Sequence, residues 1–167
     1  MELACLSARR SMHACVRVRH SLAQLILAEL DAPPTLQEEP RLRERSFGRW
    51  EGLLWSQIRS DFPEDVGRSN QDANFAVAGG GESRQATLER AHDFMQDLAA
   101  RHPSSERVLV VTHSGTAACL IKGVLGLRQE QPRSFTVLNC ALNEMMHDDE
   151  HGWMLRTLGD CAHLEQS

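Results

Sequence analysis

The chain has 167 residues, enough for one domain, and its hydrophobic content of 41% and charged content of 25% are ordinary for a soluble globular protein. A net charge of −5 argues against a general binder of nucleic acid or membrane surfaces, and no apolar run approaches the roughly 20 residues of a membrane span. Five cysteines, scattered singly, favour reduced thiols and a cytoplasmic location over a disulfide framework. We therefore expect a single domain over residues 1–167.

The amino-terminal stretch breaks the acidic balance of the chain. Residues 1–20 carry four arginines against one acid, Glu2, so their local charge is +3. An arginine-rich, acid-poor start is typical of an organelle transit peptide, but it also fits a basic surface at the start of the fold. The second interpretation is favoured because the stretch runs without a break into a helical pattern, and residues 1–11 stay an unassigned leader.

Residues 16–30 predict the first helix, because apolar side chains recur at helical spacing and two prolines follow at positions 33 and 34. Residues 35–41 form a polar connection with room for a short strand. Residues 42–52 (Leu-Arg-Glu-Arg-Ser-Phe-Gly-Arg-Trp-Glu-Gly) interrupt every regular period with charges and glycines. We expect them to form an irregular loop pinned by Phe47 and Trp50, and such loops carry function more often than packing.

Residues 53–101 are predicted to form two helices separated by an irregular segment. Residues 53–62 predict a short helix, and residues 63–78 are polar and weakly patterned, which predicts a surface excursion. Glycines at 79–81 fit either a phosphate cradle or, as we favour, a flexible loop. They lead into a helix over residues 84–101. The expected apolar side chains are Leu54, Trp55, Ile58 and Phe62 in the first helix, and Leu88, Ala91, Phe94, Met95 and Leu98 in the second.

Residues 107–115 form the stretch around which we expect the chain to be organised. Residues 108–111 are apolar, three of them valines, as in a strand buried on both faces within a parallel sheet. His113 follows directly, and a largely apolar helix over residues 116–125 is stopped by Gly126. A histidine between a strand end and a helix start lies at the carboxyl edge of the sheet, where α/β folds bind ligands and helix N-termini attract anions. His113 is the first candidate site residue, although a buried core histidine fits this position as well.

The last third of the chain changes to strand-like patterns. Residues 135–138, 143–147 and 153–158 are strand candidates, and residues 148–152 predict a hairpin turn between the last two. Helices between the early strands and a hairpin at the end predict an α/β fold with three layers, α/β/α, around a mostly parallel mixed sheet.

Four segments in order resemble the histidine phosphatase superfamily, also called phosphoglycerate mutase-like, over residues 12–165. Residues 42–52 are similar to the family's Leu-x-Glu-x-x-Phe-Gly-x-Trp-Glu-Gly segment. The turn at residues 80–83 and Arg90 resemble the segment that leads to the family's second histidine. Residues 110–115 resemble the strand end that bears this histidine, and residues 139–164 resemble the closing hairpin. Each motif is weak alone, but four in order are fairly specific.

The resemblance implies hydrolysis of a phosphomonoester without a metal or another cofactor. In the family a first histidine attacks the ester and becomes phosphohistidine, which water then hydrolyses. Glu44 is implied as the acid that protonates the leaving oxygen and then activates water, although it also fits a surface partner of its neighbouring arginines. His113 is implied as a ligand of the phosphoryl oxygens, a role that suits phosphoryl transfer. The implied partner is a phosphorylated small molecule or another anion, with no nucleic acid and no membrane.

The family's phosphate-binding arginine is assigned to residues 12–21, which are loosely similar to its Ser-Ser-x-x-Leu-Arg segment. This similarity makes Arg17 the first choice. A competing register through residues 7–10 gives Arg10 instead, and the spacing to Leu42 favours Arg17. Ser114, next to His113, completes the predicted phosphate contacts.

The departure from the family lies at the nucleophile. The family opens with a strand that ends in Arg-His-Gly, and this triplet does not occur in residues 1–167. The letters of Arg19-His20-Ser21 are similar but fall within the helical pattern, so His20 is a weak candidate. The sequence therefore predicts a domain without the family's first central strand. The two strands that flank this position would then lack a hydrogen-bonding partner. We therefore expect marginal stability or self-association of the chain, or N-terminal residues that serve as a substitute strand.

Two functions stay open: a phosphomonoesterase, and a degenerate member that binds an anion or a protein partner without turnover. A serine hydrolase is disfavoured because Thr112 and Thr116 stand where a nucleophile elbow around Ser114 requires glycines. A zinc site is disfavoured because its candidate histidine pair brackets a turn rather than one helical face. The candidate zinc ligands are His147, His151, Cys161 and His163.

Overall fold

The computed structural model describes residues 11–14, 19–102, 106–132 and 134–164. Within these ranges no helix is both long and apolar enough to cross a membrane. Short 3₁₀ turns lie at Pro40–Leu42, Gly48–Trp50 and Ala162–Leu164. The helices and strands in chain order are β1 (Ser11–Ala14), α1 (Arg19–Ala28), β2 (Leu36–Glu38), α2 (Trp55–Asp61), α3 (Pro63–Gln71), α4 (Arg84–Arg101), β3 (Val108–Val111), α5 (Ser114–Val124), β4 (Leu142–Asp148) and β5 (Gly152–Asp160).

Three parallel strands form the central sheet in the order β2-β1-β3. β1 lies in the middle, where Met12 is opposite Leu36 on one side and Leu109 on the other. Residues close to the N-terminus thus supply a central strand of the sheet. β4 and β5 form an antiparallel hairpin, in which Asp148 is opposite Gly152 at the predicted turn.

Alternate side chains of β3 enter two different cores. Val108 and Val110 pack against a cluster built mainly by α4 and α5, whereas Leu109 and Val111 pack with α1. Successive side chains of a strand point to opposite faces of its sheet. Helix α1 therefore covers one face and helices α4 and α5 cover the other, which confirms the predicted α/β/α layering.

Helix α4 anchors the larger core and has the bounds that the sequence predicted. Its buried side chains recur every three or four residues, as in an amphipathic helix: Thr87, Ala91, Phe94, Met95 and Leu98. Ser83 caps its N-terminus, because the Ser83 hydroxyl accepts a hydrogen bond from the Ala86 amide at 3.0 Å. Phe94 and Leu42 are both fully buried in this cluster, so the core reaches the loop that carries Glu44.

The prediction of a surface excursion over residues 63–78 is wrong. Pro63–Gln71 form helix α3, with proline at its first position and two acidic residues in its first turn, both favourable at a helix N-terminus. The helix lacks an apolar stripe, since Ser69 is its only buried side chain, and periodicity therefore missed it. Val77 is buried with Trp50 and Ile58 in a third cluster.

Further predictions also differ from the structure. Leu54 and Trp55 are 69% and 52% exposed, because α2 begins only at Trp55 and buries Ile58 alone. Residues 135–138 form no strand, since β4 and β5 pair with each other. Helix α5 starts at Ser114, two residues earlier than predicted, and Gly126 after its end adopts a φ of +66°.

Candidate active site

β3 ends at Val111 and delivers His113 to the N-terminus of α5. His113 is the N-cap residue of this helix, with extended backbone angles (φ −100°, ψ 157°). Its carbonyl accepts the hydrogen bond of the Ala117 amide at 2.8 Å. Ser114, the first helical residue, is exposed. The first-turn amides and the helix dipole give this end of α5 a partial positive charge, which favours bound anions.

The carboxylate of Glu44 lies against the same helix end. Its Oε2 accepts a long hydrogen bond from the Gly115 amide at 3.4 Å, and its Oε1 accepts one from the Arg45 amide at 2.9 Å. A Cβ atom at position 115 would come closer to Oε1 than the 3.0 Å that real Cβ contacts respect. The N-terminus of α5 therefore brings together the two residues predicted as acid and phosphate ligand, Glu44 and His113.

Two threonine hydroxyls join the Glu44 loop to the segment around His113. Thr112 Oγ1 donates to the Leu42 carbonyl at 2.7 Å, and Thr116 Oγ1 donates to the Arg43 carbonyl at 2.6 Å. Thr116 is fully buried. The backbone immediately before Glu44 is thus fixed to residues on both sides of His113.

A buried ion pair supports the loop from α4. Arg90 donates through Nε and Nη2 to the Glu82 carboxylate at 2.7 and 2.9 Å, and through Nη1 to the Arg41 carbonyl. The Arg90 and Glu82 side chains are only 11% and 12% exposed. Burial tends to raise the pKa of Glu82, but the bonded Arg90 and the nearby charge of Arg43 outweigh it, so the pKa lies below its ordinary value.

The glycine turn at residues 79–81 packs directly on the same loop. The Arg49 amide donates to the Ala78 carbonyl at 2.8 Å. Gly48 and Gly79 have φ angles of +55° and +84°, and a Cβ atom at Gly48 would collide with the Ala78 carbonyl. These glycines permit close backbone packing, so the turn shapes the loop that carries Glu44.

Arg45 is a candidate anion-binding residue that the sequence did not predict. Its guanidinium carbon lies 4.6 Å from the centroid of the Phe47 ring, and its side chain forms no ion pair with any carboxylate of the described residues. Burial, opposed by Cys119 and assisted by the charge of Arg84, lowers the pKa of the Arg45 guanidinium. A half-buried guanidinium without a carboxylate partner is suited to anion binding. Its position directly after Glu44 was the available sequence signal.

The structure describes only some of the remaining predicted residues. Arg10 and Arg17 lie outside the described residues. His20 is the second residue of α1. Among the described residues no group of three or more histidine, cysteine, aspartate or glutamate side chains could hold a metal ion.

Comparison with known proteins identifies the family. The profile of the histidine phosphatase superfamily (branch 1) matches residues 17–160. The chain belongs to this superfamily, which confirms the resemblance. It is 31% identical over 142 residues to the metal-independent phosphoserine phosphatase of Arabidopsis thaliana, covering 84% of this chain and 57% of the relative. The chain spans 57% to 61% of the length of the first curated relatives that it matches.

Solved structures show the same fold. YhfR of Bacillus stearothermophilus matches with a TM-score of 0.79 and 22% identity over 92% of this chain and 75% of its own. A mycobacterial glucosyl-3-phosphoglycerate phosphatase in complex with inorganic phosphate matches with a TM-score of 0.73 and 23% identity, covering 90% of this chain and 77% of its own. The fold is therefore the phosphoglycerate mutase-like α/β fold.

Proposed function

We propose that this chain carries the acid and the phosphate-binding residues of a histidine-type phosphomonoesterase. The observation that carries the proposal is the position of Glu44 and His113 at one helix N-terminus, in a chain of the histidine phosphatase superfamily. Phosphoryl transfer depends mainly on positioning and on donors aimed at the phosphoryl oxygens. A partly buried histidine beside the positive end of α5 supplies such donors.

In the proposed reaction a histidine nitrogen attacks phosphorus and the bond to the ester oxygen breaks. Glu44 gives its proton to the leaving oxygen, and the resulting carboxylate then takes a proton from the water that attacks the phosphohistidine. His113 binds the phosphoryl oxygens during both steps. Residues 1–167 present neither the attacking histidine nor its neighbouring arginine in the family's Arg-His-Gly form.

Arg45 extends the proposal to the substrate. The names of two relatives given above specify phosphoserine and glucosyl-3-phosphoglycerate, and each of these compounds carries a phosphate and a carboxylate. Arg45 follows Glu44 directly in the chain, and its guanidinium forms no ion pair with a carboxylate of the described residues. We therefore extend the proposal to phosphomonoesters with a second anionic group, which Arg45 binds through the N–H donors at the edge of its planar guanidinium.

The test is release of phosphate from p-nitrophenyl phosphate by the full chain and by Glu44→Gln and His113→Asn. Loss of about 10²–10³-fold in rate is expected for His113→Asn, as for other groups that stabilise transition-state charge. Glu44→Gln is expected to lose about 10²-fold or more through slower hydrolysis of the phosphohistidine, because p-nitrophenolate leaves without a proton. Glu89→Gln and His92→Asn serve as matched controls, because both residues are exposed on α4. Equal rates in all variants would contradict the assignment.

The second candidate function is anion binding without turnover, which the missing Arg-His-Gly triplet favours. It predicts a folded chain that releases no phosphate from the ester but binds inorganic phosphate, with binding lost in His113→Asn. A folded chain that neither hydrolyses the ester nor binds phosphate would contradict both functions.

A further inference from the structure

We infer that Thr112 and Thr116 form a clamp that sets the position of the Glu44 carboxylate relative to His113. The two hydroxyls flank His113 in the chain, and they donate to the carbonyls of Leu42 and Arg43, the two residues that precede Glu44. The inference rests on the proposed function only for the role of Glu44 as the acid.

The clamp bonds are short and sheltered. Their lengths of 2.7 and 2.6 Å are at the strong end for hydroxyl donors, and Thr116 and Leu42 have no exposed surface. Both acceptor carbonyls belong to the irregular loop rather than to the sheet. The Thr116 side chain is fully buried, so substitution of its hydroxyl by a methyl group removes the hydrogen bond to the loop at a site that solvent does not reach from the Thr116 side.

The register of the contacts links the clamp to the carboxylate. Thr116 of α5 donates its hydroxyl to the carbonyl of Arg43 in the loop. Gly115, one residue before Thr116, donates its amide to the side chain of Glu44, one residue after Arg43. Adjacent residues of α5 therefore fix adjacent residues of the loop. A shift of the Arg43 carbonyl away from α5 moves the Glu44 carboxylate away from the helix N-terminus.

Thr112 and Thr116 are positioning residues in this inference, since their hydroxyls donate to loop carbonyls and not to a ligand. Their hydroxyls can be removed with almost no change of shape by substitution with valine. Thr87 offers a matched control: it is also fully buried, but its hydroxyl donates to the Ser83 carbonyl at 2.9 Å, one turn earlier in the chain.

The experiment compares Thr116→Val, Thr112→Val, Thr116→Ser and Thr87→Val in the full chain. The readouts are the carboxyl ¹³C signal of Glu44, the amide signal of Gly115, the affinity for inorganic phosphate, and the melting temperature. The Glu44 carboxyl signal reports the surroundings of the carboxylate, which a general loss of stability does not change. The Gly115 amide signal is decisive in Thr112→Val, because a substitution at the neighbouring position 116 shifts it in any case.

We expect Thr116→Val and Thr112→Val to shift both signals and to weaken phosphate binding roughly three- to tenfold, the effect of one net hydrogen bond. Thr116→Ser keeps the hydroxyl and is expected to restore signals and affinity, whereas Thr87→Val lowers only the melting temperature.

The clamp is overturned if Thr116→Val lowers the melting temperature as Thr87→Val does but leaves the signal of Glu44 in place. If the folded wild-type chain neither hydrolyses p-nitrophenyl phosphate nor binds phosphate, the proposed function fails, and the Glu44 signal still decides on the clamp.

Discussion

The amide of Gly115 faces the carboxylate of Glu44 at 3.4 Å, and only the lack of a side chain at position 115 allows this approach. The contact places an acidic side chain from a loop in the positive field at the N-terminus of α5. It also joins two segments that are 71 residues apart in sequence. Glycine at position 115 therefore lets Glu44, the proposed acid, lie at the same helix end as His113, the proposed phosphate ligand.

Gly115→Ala tests this relationship. The new methyl group would overlap Oε1 of Glu44, and the flexible side chain of Glu44 yields more easily than the helix backbone. We expect unchanged or slightly higher thermal stability, because alanine favours helix, together with a loss of at least about tenfold in phosphate release or binding. Gly67→Ala is the control, since Gly67 lies in α3 with open space around it and should change stability alone. Full activity in Gly115→Ala would contradict the tight approach.

Arg90→Gln tests the ion pair that supports the Glu44 loop. It leaves the mostly buried Glu82 carboxylate with only the exposed Arg43 as a partner, so we expect a loss of roughly 3 kcal/mol in the free energy of unfolding, the low end for a broken buried pair. The double variant with Glu82→Gln should recover part of this loss, as urea unfolding would show. Arg156→Gln is the control, because the pair of Arg156 with Glu144 is largely exposed and is worth less than about 1 kcal/mol. Equal losses of unfolding free energy in Arg90→Gln and Arg156→Gln would show that the Arg90–Glu82 pair stabilises the chain no more than an exposed pair does.

The depressed pKa of Glu82 predicts acid sensitivity with a defined sign. A carboxyl group whose pKa is lower in the folded chain contributes stability above its ordinary value of 4.5, and this contribution is lost as the pH falls through the folded-state pKa. We expect the melting temperature to fall below about pH 4.5, and to fall less steeply in Glu82→Gln. Circular dichroism melts across this pH range measure how the melting temperature depends on pH. An identical pH dependence in Glu82→Gln would exclude Glu82 as a cause of the acid sensitivity.

Leu42→Ala tests whether the Glu44 loop is anchored in the main core. Leu42 is fully buried against Phe94, and removal of a buried leucine side chain costs about 2–5 kcal/mol. Leu54→Ala is the matched control, since Leu54 is 69% exposed and should change stability by less than about 0.5 kcal/mol. Chemical unfolding of both variants measures the difference, and a loss as small as that of the control would contradict the anchoring.

Sequence periodicity predicted the elements that bury a regular apolar face. The bounds of α4 and the β3–His113–α5 order follow from such patterns, and the resemblance to the family supplied Glu44. Helix α3 was missed because its stability does not depend on an apolar stripe of its own. Leu54 and Trp55 were placed in a core because their spacing was helical, whereas the helix starts too late to turn them inward.

The contacts that assemble the candidate site could not be predicted from local patterns. The threonine hydroxyls bond to carbonyls 70 and 73 residues away, and the ion pair of Arg90 reaches the loop through a backbone carbonyl. These bonds depend on how the loop that carries Glu44 packs against α5, and the spacing of apolar residues in the sequence does not predict this packing. Ser11–Ala14 fill the middle of the parallel sheet, the position that a substitute strand would take, whereas self-association stays a prediction.

The most direct test of the account follows the histidine ring signals of the ¹⁵N-labelled full chain, which has eight histidines, during titration with inorganic phosphate. His113→Asn assigns the signal of His113. We predict a saturable shift of the His113 ring, while the ring of His92 on the outer surface of α4 stays in place. A His113 signal that does not move, or one that moves no more than that of His92, would contradict an anion site at the N-terminus of α5.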